Sequence, residues 1–309
     1  MKIGLIDCDS HNYPNLALMK LSAWHKAKGD SVEWWFGFEH YDRVYMSRVF
    51  DSTYTPEPFE PMNADEIIKG GTGYGLDNVL PDEIEHIYPD YSLYPELTAD
   101  TAYGFLTRGC PRGCKFCIVG KKEGLVSRKV ADLSEWWSGQ KHIELMDPNI
   151  LACPDKFELL EQLIESKAYV NFSQGLDARL MTEKVAQTVS RVKIKEIHFA
   201  WDSIKDRDAV LHGLQVYAEN ATRKPNGTNG TVYVLTNFDT TLAEDLERVY
   251  ILRDMGYNPY IMIFDKPNAP KRVRDLQGWV NNRPLFYSCK RFEDFVPSRS
   301  AWKRNGAGG

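Results

Sequence analysis

The chain reads as α/β: a Rossmann-like N-terminal layer followed by an open (β/α)6 partial TIM barrel. Three observations lead there. A short strand–helix–strand series opens the sequence, a Pro- and Tyr-rich stretch follows at 80–97, and from Thr101 strand-like runs alternate with helical ones six times. Three regions result: 1–97, the layer with its connector; 98–265, the barrel; and 266–309, a basic aromatic cover and tail.

In the first region KIGLIDC (2–8) has the continuous apolar character of a buried strand and runs into a polar loop, DSHNYPN. Leu16, Met19, Ala23 and Ala27 then recur at helical spacing, and Gly29 supplies a stop. VEWWFGF (32–38) and RVYMSRVF (43–50) read as strands, whereas ADEIIKGG suits either a short helix or a strand. LPDEIEHIYPDYSLYPEL (80–97) reads as an irregular connector.

The second series places strands at 102–107, 142–147, 169–174, 196–201, 231–236 and 259–264. KFELLEQLIESK, TEKVAQTVSRV, IKDRDAVLHGLQVYAEN and LAEDLERVYILRDMG are the helices between them; the stretch containing DLSEWWSG fits the first helix less cleanly. Parallel sheets of this kind bind ligands at the C-terminal ends of their strands. The loop after the first strand is therefore the place to look for chemistry.

That loop, TRGCPRGCKFCIV, holds Cys110, Cys114 and Cys117 in a C-x3-C-x2-C array. Three thiolates on one tight loop suit three corners of an iron–sulfur cube, and the lack of a fourth nearby cysteine leaves one iron open. Structural zinc needs a fourth ligand, for which His142 and Cys153 are the nearest candidates. Disulfides fit poorly with six cysteines in 309 residues, three of them crowded together. Cys8, Cys153 and Cys289 read as packed thiols, with Cys153 placed to face the cavity. MKIGLIDCDS reaches Asp7 and Asp9 too soon for a secretory signal, and no apolar run has membrane-spanning length. A cytoplasmic protein is expected, with the sequons at Asn220, Asn226 and Asn229 serving as turns.

This loop, with Phe116 before its third cysteine and the six-unit series behind it, resembles the radical SAM superfamily over residues 100–265. The resemblance implies a [4Fe–4S] cluster on Cys110, Cys114 and Cys117 whose open iron chelates the methionyl end of S-adenosylmethionine (SAM). It also implies reductive SAM cleavage to a 5′-deoxyadenosyl radical, a reducing electron donor and a substrate that loses hydrogen. Phe116, Asp147, Gln174, Asp202 and Thr236 are the further cofactor-binding candidates. Asp147, in ELMDPN, stands where the family places a Gly-Gly-Glu-like stretch; it either accepts from the SAM ammonium or simply shapes a turn. Gln174 and Asp177 would point at the pocket, with Arg179 as a carboxylate partner. Asp202 either lies near SAM or caps the next helix. Thr236 and Asn237 either reach ribose or cap.

The first region is similar to the cobalamin-binding-like domain found before some radical SAM barrels. Asp9-Ser10-His11 partly matches its Asp-x-His motif, although Pro14 stands where its glycine belongs. Ser47 and Gly70-Gly71 occupy the remaining contact positions, so the domain is either a cobalamin site or a degenerate buttress. Radical methyl transfer with cobalamin is the corresponding alternative activity.

The net charge is −5, unevenly spread. From Asp265 onward ten Lys/Arg face four Asp/Glu, a local +6 that leaves −11 for the rest. Trp279, Phe286, Tyr287, Phe292, Phe295 and Trp302 interleave with those cations, a pattern that suits either a packed cover or a nucleic-acid surface. A small-molecule substrate, a nucleic-acid substrate and a non-catalytic redox-sensing module are the competing function classes. The Trp pairs at 34–35 and 136–137 read as core and interface aromatics.

Overall fold

A computed structural model describes residues 1–227 and 229–297; Trp302 and the terminal NGAGG lie outside them. The chain is α/β, with a four-stranded and a six-stranded parallel sheet and one two-stranded antiparallel ribbon. It divides into two compact units, Met1–Gly113 with Ile118–Asn171, and Cys114–Cys117 with Phe172–Gly309.

The first unit opens with β1 (Lys2–Asp7), α1 (Leu16–Ala27), β2 (Ser31–Trp34), β3 (Tyr41–Ser47) and β4 (Ala64–Gly70). Their sheet has the order β2-β1-β3-β4. Asn15 starts α1 by accepting from the Leu18 N–H at 3.2 Å. ADEIIKGG is a strand because it has a partner: Tyr45 of β3 sits opposite Ile68 and Met46 opposite Lys69. β2 ends earlier than expected, at Trp34. Ile3, Leu5, Leu18, Leu21, Tyr45 and Ile84 form the core on the α1 face. Tyr41, Val44 and Met46 pack with Trp35 and Tyr74 in a separate cluster.

Only the β1-to-β2 crossover of this sheet carries a helix. The links across 35–40 and 48–63 have none, although parallel neighbours usually need one. The strand order reverses between β1 and β3, where α/β sheets commonly bind ligands. Here the protein's own side chains close that point. Asn15 Nδ2 donates to Ser10 Oγ at 3.1 Å and Ser47 Oγ at 2.8 Å, and the Tyr94 hydroxyl donates to Asp7 at 2.7 Å.

The connector contains short helical turns, α2 (Asp82–Glu85), Tyr91–Leu93 and α3 (Pro95–Thr98). After it come β5 (Thr101–Gly104), β6 (Thr107–Arg108), α4 (Val119–Lys122), β7 (Arg128–Lys129), β8 (His142–Leu145), α5 (Lys156–Ser166) and β9 (Tyr169–Leu176). β5 lies parallel to β8, from Thr101 opposite His142 to Gly104 opposite Leu145. It stops short of the expected 107. Gly104 packs on the Trp136 indole so closely that a Cβ would fall 2.3 Å from a ring carbon. Beyond it the chain leaves the sheet to form the β6–β7 ribbon.

The division falls inside β9, after Asn171. The second unit continues with α6 (Glu183–Arg191), β10 (Ile194–Ala200), α7 (Arg207–Asn220), β11 (Thr231–Thr236), α8 (Leu242–Asp254), β12 (Asn258–Ile263), α9 (Lys271–Val280) and α10 (Arg283–Ser288). The large sheet runs β12-β11-β10-β9-β8-β5, in sequence order and without reversal. α8 begins with a reciprocal Thr241–Glu244 capping box. Its Arg248 is fully buried and donates to Asp245 at 2.5 Å and to the carbonyls of Trp201 and Leu235 at 2.6 and 2.7 Å. No helix among the described residues is long and apolar enough to cross a membrane.

The C-terminal aromatics that are described belong largely to the core. Trp279, Phe286 and Phe292 are fully buried, with the Trp279 ring 4.9 Å from Phe286 and 5.5 Å from Phe292. Rings in that position have no face for a base to stack on, which corrects the nucleic-acid reading of these residues. Asn226 and Asn229 bond to each other's backbone, the turn chemistry expected of them. Trp136 is buried, but Trp34 is 41% exposed and therefore no core residue.

Candidate functional site

Cys110 belongs to the first unit, and its loop is held there from both ends. Gly109 has φ +85°, and a Cβ on it would lie 2.2 Å from the Val126 carbonyl oxygen. Its N–H donates to Glu123 at 2.9 Å, Arg108 pairs with the other Glu123 oxygen at 2.8 Å, and the Cys110 N–H reaches the Gly124 carbonyl at 3.2 Å. Glu123 carries no sequence signal of this role, since an acid before a glycine in a basic loop is commonplace. The Cys110 sulfur accepts from Asn149 Nδ2 at 3.4 Å. N–H···S contacts are among the tuners of iron–sulfur potentials.

Asp147 is 5% exposed, and its carboxylate is already engaged. It accepts from the N–H groups of Leu106 and Thr107 at 2.7 and 2.8 Å and from the Thr107 hydroxyl at 2.6 Å. Asp147 therefore braces the backbone leading to the cysteines, the turn-shaping alternative, and is not an open acceptor for an ammonium. Burial pushes its carboxyl up to about 7, opposed by those three donors.

In the second unit, Cys114 and Cys117 are half-buried and outside any disulfide. Phe116 stands edge-on to Phe238 at 5.5 Å, and Phe238 to Phe264 at 4.9 Å, so this aromatic is anchored by the chain that follows β11 and β12. Arg179 joins Asp177 at 2.7 Å and Asp206 at 2.6 Å. Burial would lower its pKa, but Asp177, Asp206 and the Cys114 charge outweigh this and raise it. The expected carboxylate partnership is thus with the protein's own acids.

Gln174 is exposed, next to Gly175 at φ +88°. Asp202 is the acid left uncommitted. Ser203, not Asp202, caps the following turn by accepting from the Lys205 N–H, and Asp202 has no hydrogen bond or ion pair among the described residues. Burial raises it to about 6, against Arg248 and Arg179, which lower it. Thr236 is fully buried with its hydroxyl donating to the Met262 carbonyl at 3.4 Å, and Thr241 caps α8. Thr236 therefore reaches neither ribose nor a helix end. Asn237 is left-handed, φ 62°, and donates to the Phe264 carbonyl at 2.8 Å.

The cobalamin contacts do not assemble. Asp9 accepts from the N–H groups of Val49 and Phe50 at 2.7 and 2.9 Å and from the Thr55 hydroxyl at 2.8 Å, so it does not orient His11. His11 is exposed beside Phe50. Gly71 is needed for its own backbone packing, since a Cβ would lie 2.3 Å from the Arg48 carbonyl oxygen. The other cysteines are mild: Cys153 is fully buried, Cys8 lies 3.9 Å from the Tyr74 hydroxyl, and Cys289 meets the Arg291 carbonyl.

None of the six cysteines is joined in a disulfide. Among the described residues no group of three or more His, Cys, Asp or Glu is gathered so as to hold a metal ion. No protein-family model and no curated protein matches the chain. The resemblance therefore rests on the cysteine loop and the β/α series alone.

Proposed function

We propose that the chain is a radical SAM enzyme acting on a small molecule. The observation that carries this is the C-x3-C-x2-C array of half-buried cysteines in the connection between β5 and β8, neighbouring strands of a sequentially ordered parallel sheet, with the short β6 segment standing between β5 and Cys110. A [4Fe–4S] centre on Cys110, Cys114 and Cys117, when bound, supplies the electron for reductive SAM cleavage to methionine and a hydrogen-abstracting 5′-deoxyadenosyl radical. The reading includes the finer fold, an open partial barrel, for which the unreversed strand order is the support.

The residues divide the remaining tasks. Asn149 donates toward Cys110, a contact of the kind that tunes a cluster's potential. Asp147 and Glu123 fix the loop's backbone. Phe116, held by Phe238, screens water from the cysteines. Asp202, with no partner of its own, is the acceptor offered to a SAM donor group. An external reductant is required.

The test is anaerobic reconstitution with iron and sulfide, followed by SAM, dithionite and chromatography for 5′-deoxyadenosine, with Cys114→Ala as control. Production of 5′-deoxyadenosine by the native sequence only supports the reading. A protein that loads the cluster yet never cleaves SAM would instead be a redox-sensing module, and the enzyme proposal would fall.

A further inference from the structure

The first unit contains a cavity of about 900 Å³, and every residue lining it belongs to that unit. It adjoins the C-terminal ends of β3 and β4 on the face that α1 covers. Its volume is at the upper end of the range for small-molecule sites. Trp24, Ile68, Leu80 and Val130 supply apolar wall; Gly70 and Lys122 line it too, as do the acids Asp82 and Glu83 of α2.

Most cations around it are already compensated. Lys20 pairs with Glu85, Lys69 with Glu57 and Glu60, Arg108 with Glu123, and Lys129 with Asp132 and Glu158. Arg128 donates to the Glu123 carbonyl. Lys122 differs: it has no carboxylate partner among the described residues, and its ammonium rests on the Thr72 hydroxyl. Burial lowers its pKa, the mark of an ammonium deprived of water without an anion in exchange. Beside it Gly70 is open, because a Cβ built there meets no atom within 4 Å.

We propose that this cavity binds a small phosphorylated molecule with an apolar or heteroaromatic body, a mononucleotide being the simplest example. The phosphate sits against Lys122, which Thr72 holds from behind, and the open Gly70 backbone; the body lies along Trp24, Ile68 and Leu80. An ammonium at a glycine turn suits a compact tetrahedral anion. The site is independent of the activity proposed above. It does adjoin it in the chain, because Lys122 and Glu123 follow the cysteine loop directly.

Calorimetric titration of the full-length protein with AMP, adenosine and inorganic phosphate tests this, with thermal melting of each variant in parallel. AMP should bind saturably, adenosine far more weakly, and phosphate should compete with AMP. Lys122→Ala should weaken AMP about tenfold or more, the loss of one charge-assisted hydrogen bond. Gly70→Leu, whose Cβ meets no protein atom within 4 Å, should weaken AMP, and its melting curve checks that the fold is kept. Equal affinity for AMP and adenosine, an unchanged Lys122→Ala, or no saturable AMP or phosphate binding at millimolar concentration overturns the proposal.

Discussion

Asp202 and Gly109 show how single residues are set for different tasks. The Asp202 carboxyl is raised by burial to about 6, well above its unfolded value. A raised carboxyl contributes stability that is complete below about pH 4 and is lost as pH climbs through about 6. Asp202→Asn should therefore flatten the pH dependence of urea unfolding between those limits. It should also gain of order 1–2 kcal/mol over the native sequence at neutral pH, after allowance for partial exposure. An unchanged profile would mean that the carboxyl is ionised throughout. Gly109→Ala meets both a left-handed φ and the Val126 carbonyl, so it should cost about 2 kcal/mol or more and lower the iron retained after reconstitution. Melting temperature and iron content per chain check it. At this scale the cysteine array was visible in the sequence because it is a matter of spacing alone. Asp147 and Thr236 were not: whether an oxygen faces a ligand or a neighbouring backbone depends on register, which one strand's sequence does not contain.

Among the elements, α8 does more than cover the sheet. Its Arg248 ties the ends of β10 and β11 through the Trp201 and Leu235 carbonyls, with Asp245 as counter-charge. Arg248→Met leaves Asp245 buried without its partner and should destabilise by about 3–5 kcal/mol in denaturant unfolding. Loss of less than 1 kcal/mol would show that water replaces the guanidinium. The Asp245–Arg248 spacing is visible in the sequence, but it looks like any exposed i,i+3 pair. Strand positions were readable from apolar runs, and their ends were not. β5 stops at Gly104, a position that only glycine can fill because Trp136, more than thirty residues later, occupies the space a side chain would need. ADEIIKGG was ambiguous for the same reason, since only its pairing with β3 makes it a strand.

At the level of the molecule, the α/β class and the order of the second series followed from alternation, because each β/α unit repeats the same local pattern. The cavity of the first unit did not, for it is bounded by residues from α1, β3, β4, the connector and the β7 region, and no residue announces an empty volume. Charge distribution misled in one respect. The basic C-terminal stretch is genuine, but Trp279 and its neighbours are core residues. Trp279→Ala should cost about 3–5 kcal/mol of stability. Its effect on retention by a nucleic-acid column should be no larger than that of any equally destabilising core substitution. Selective loss of retention at native melting temperature would restore the binding-surface reading.

The hydrogen bonds that join Gly109 and Cys110 to Glu123 and Gly124 have a consequence for biogenesis. They close the cysteine loop at its base using protein groups alone, so the chain entropy of that closure is met during folding and not at metallation. If the loop takes the cluster proposed above, loading would then leave the base of the loop as it already stands, as opposed to a chain condensing around metal. Far-ultraviolet circular dichroism of metal-free and reconstituted protein should accordingly superimpose, and a large gain of signal on loading would indicate the opposite order of events.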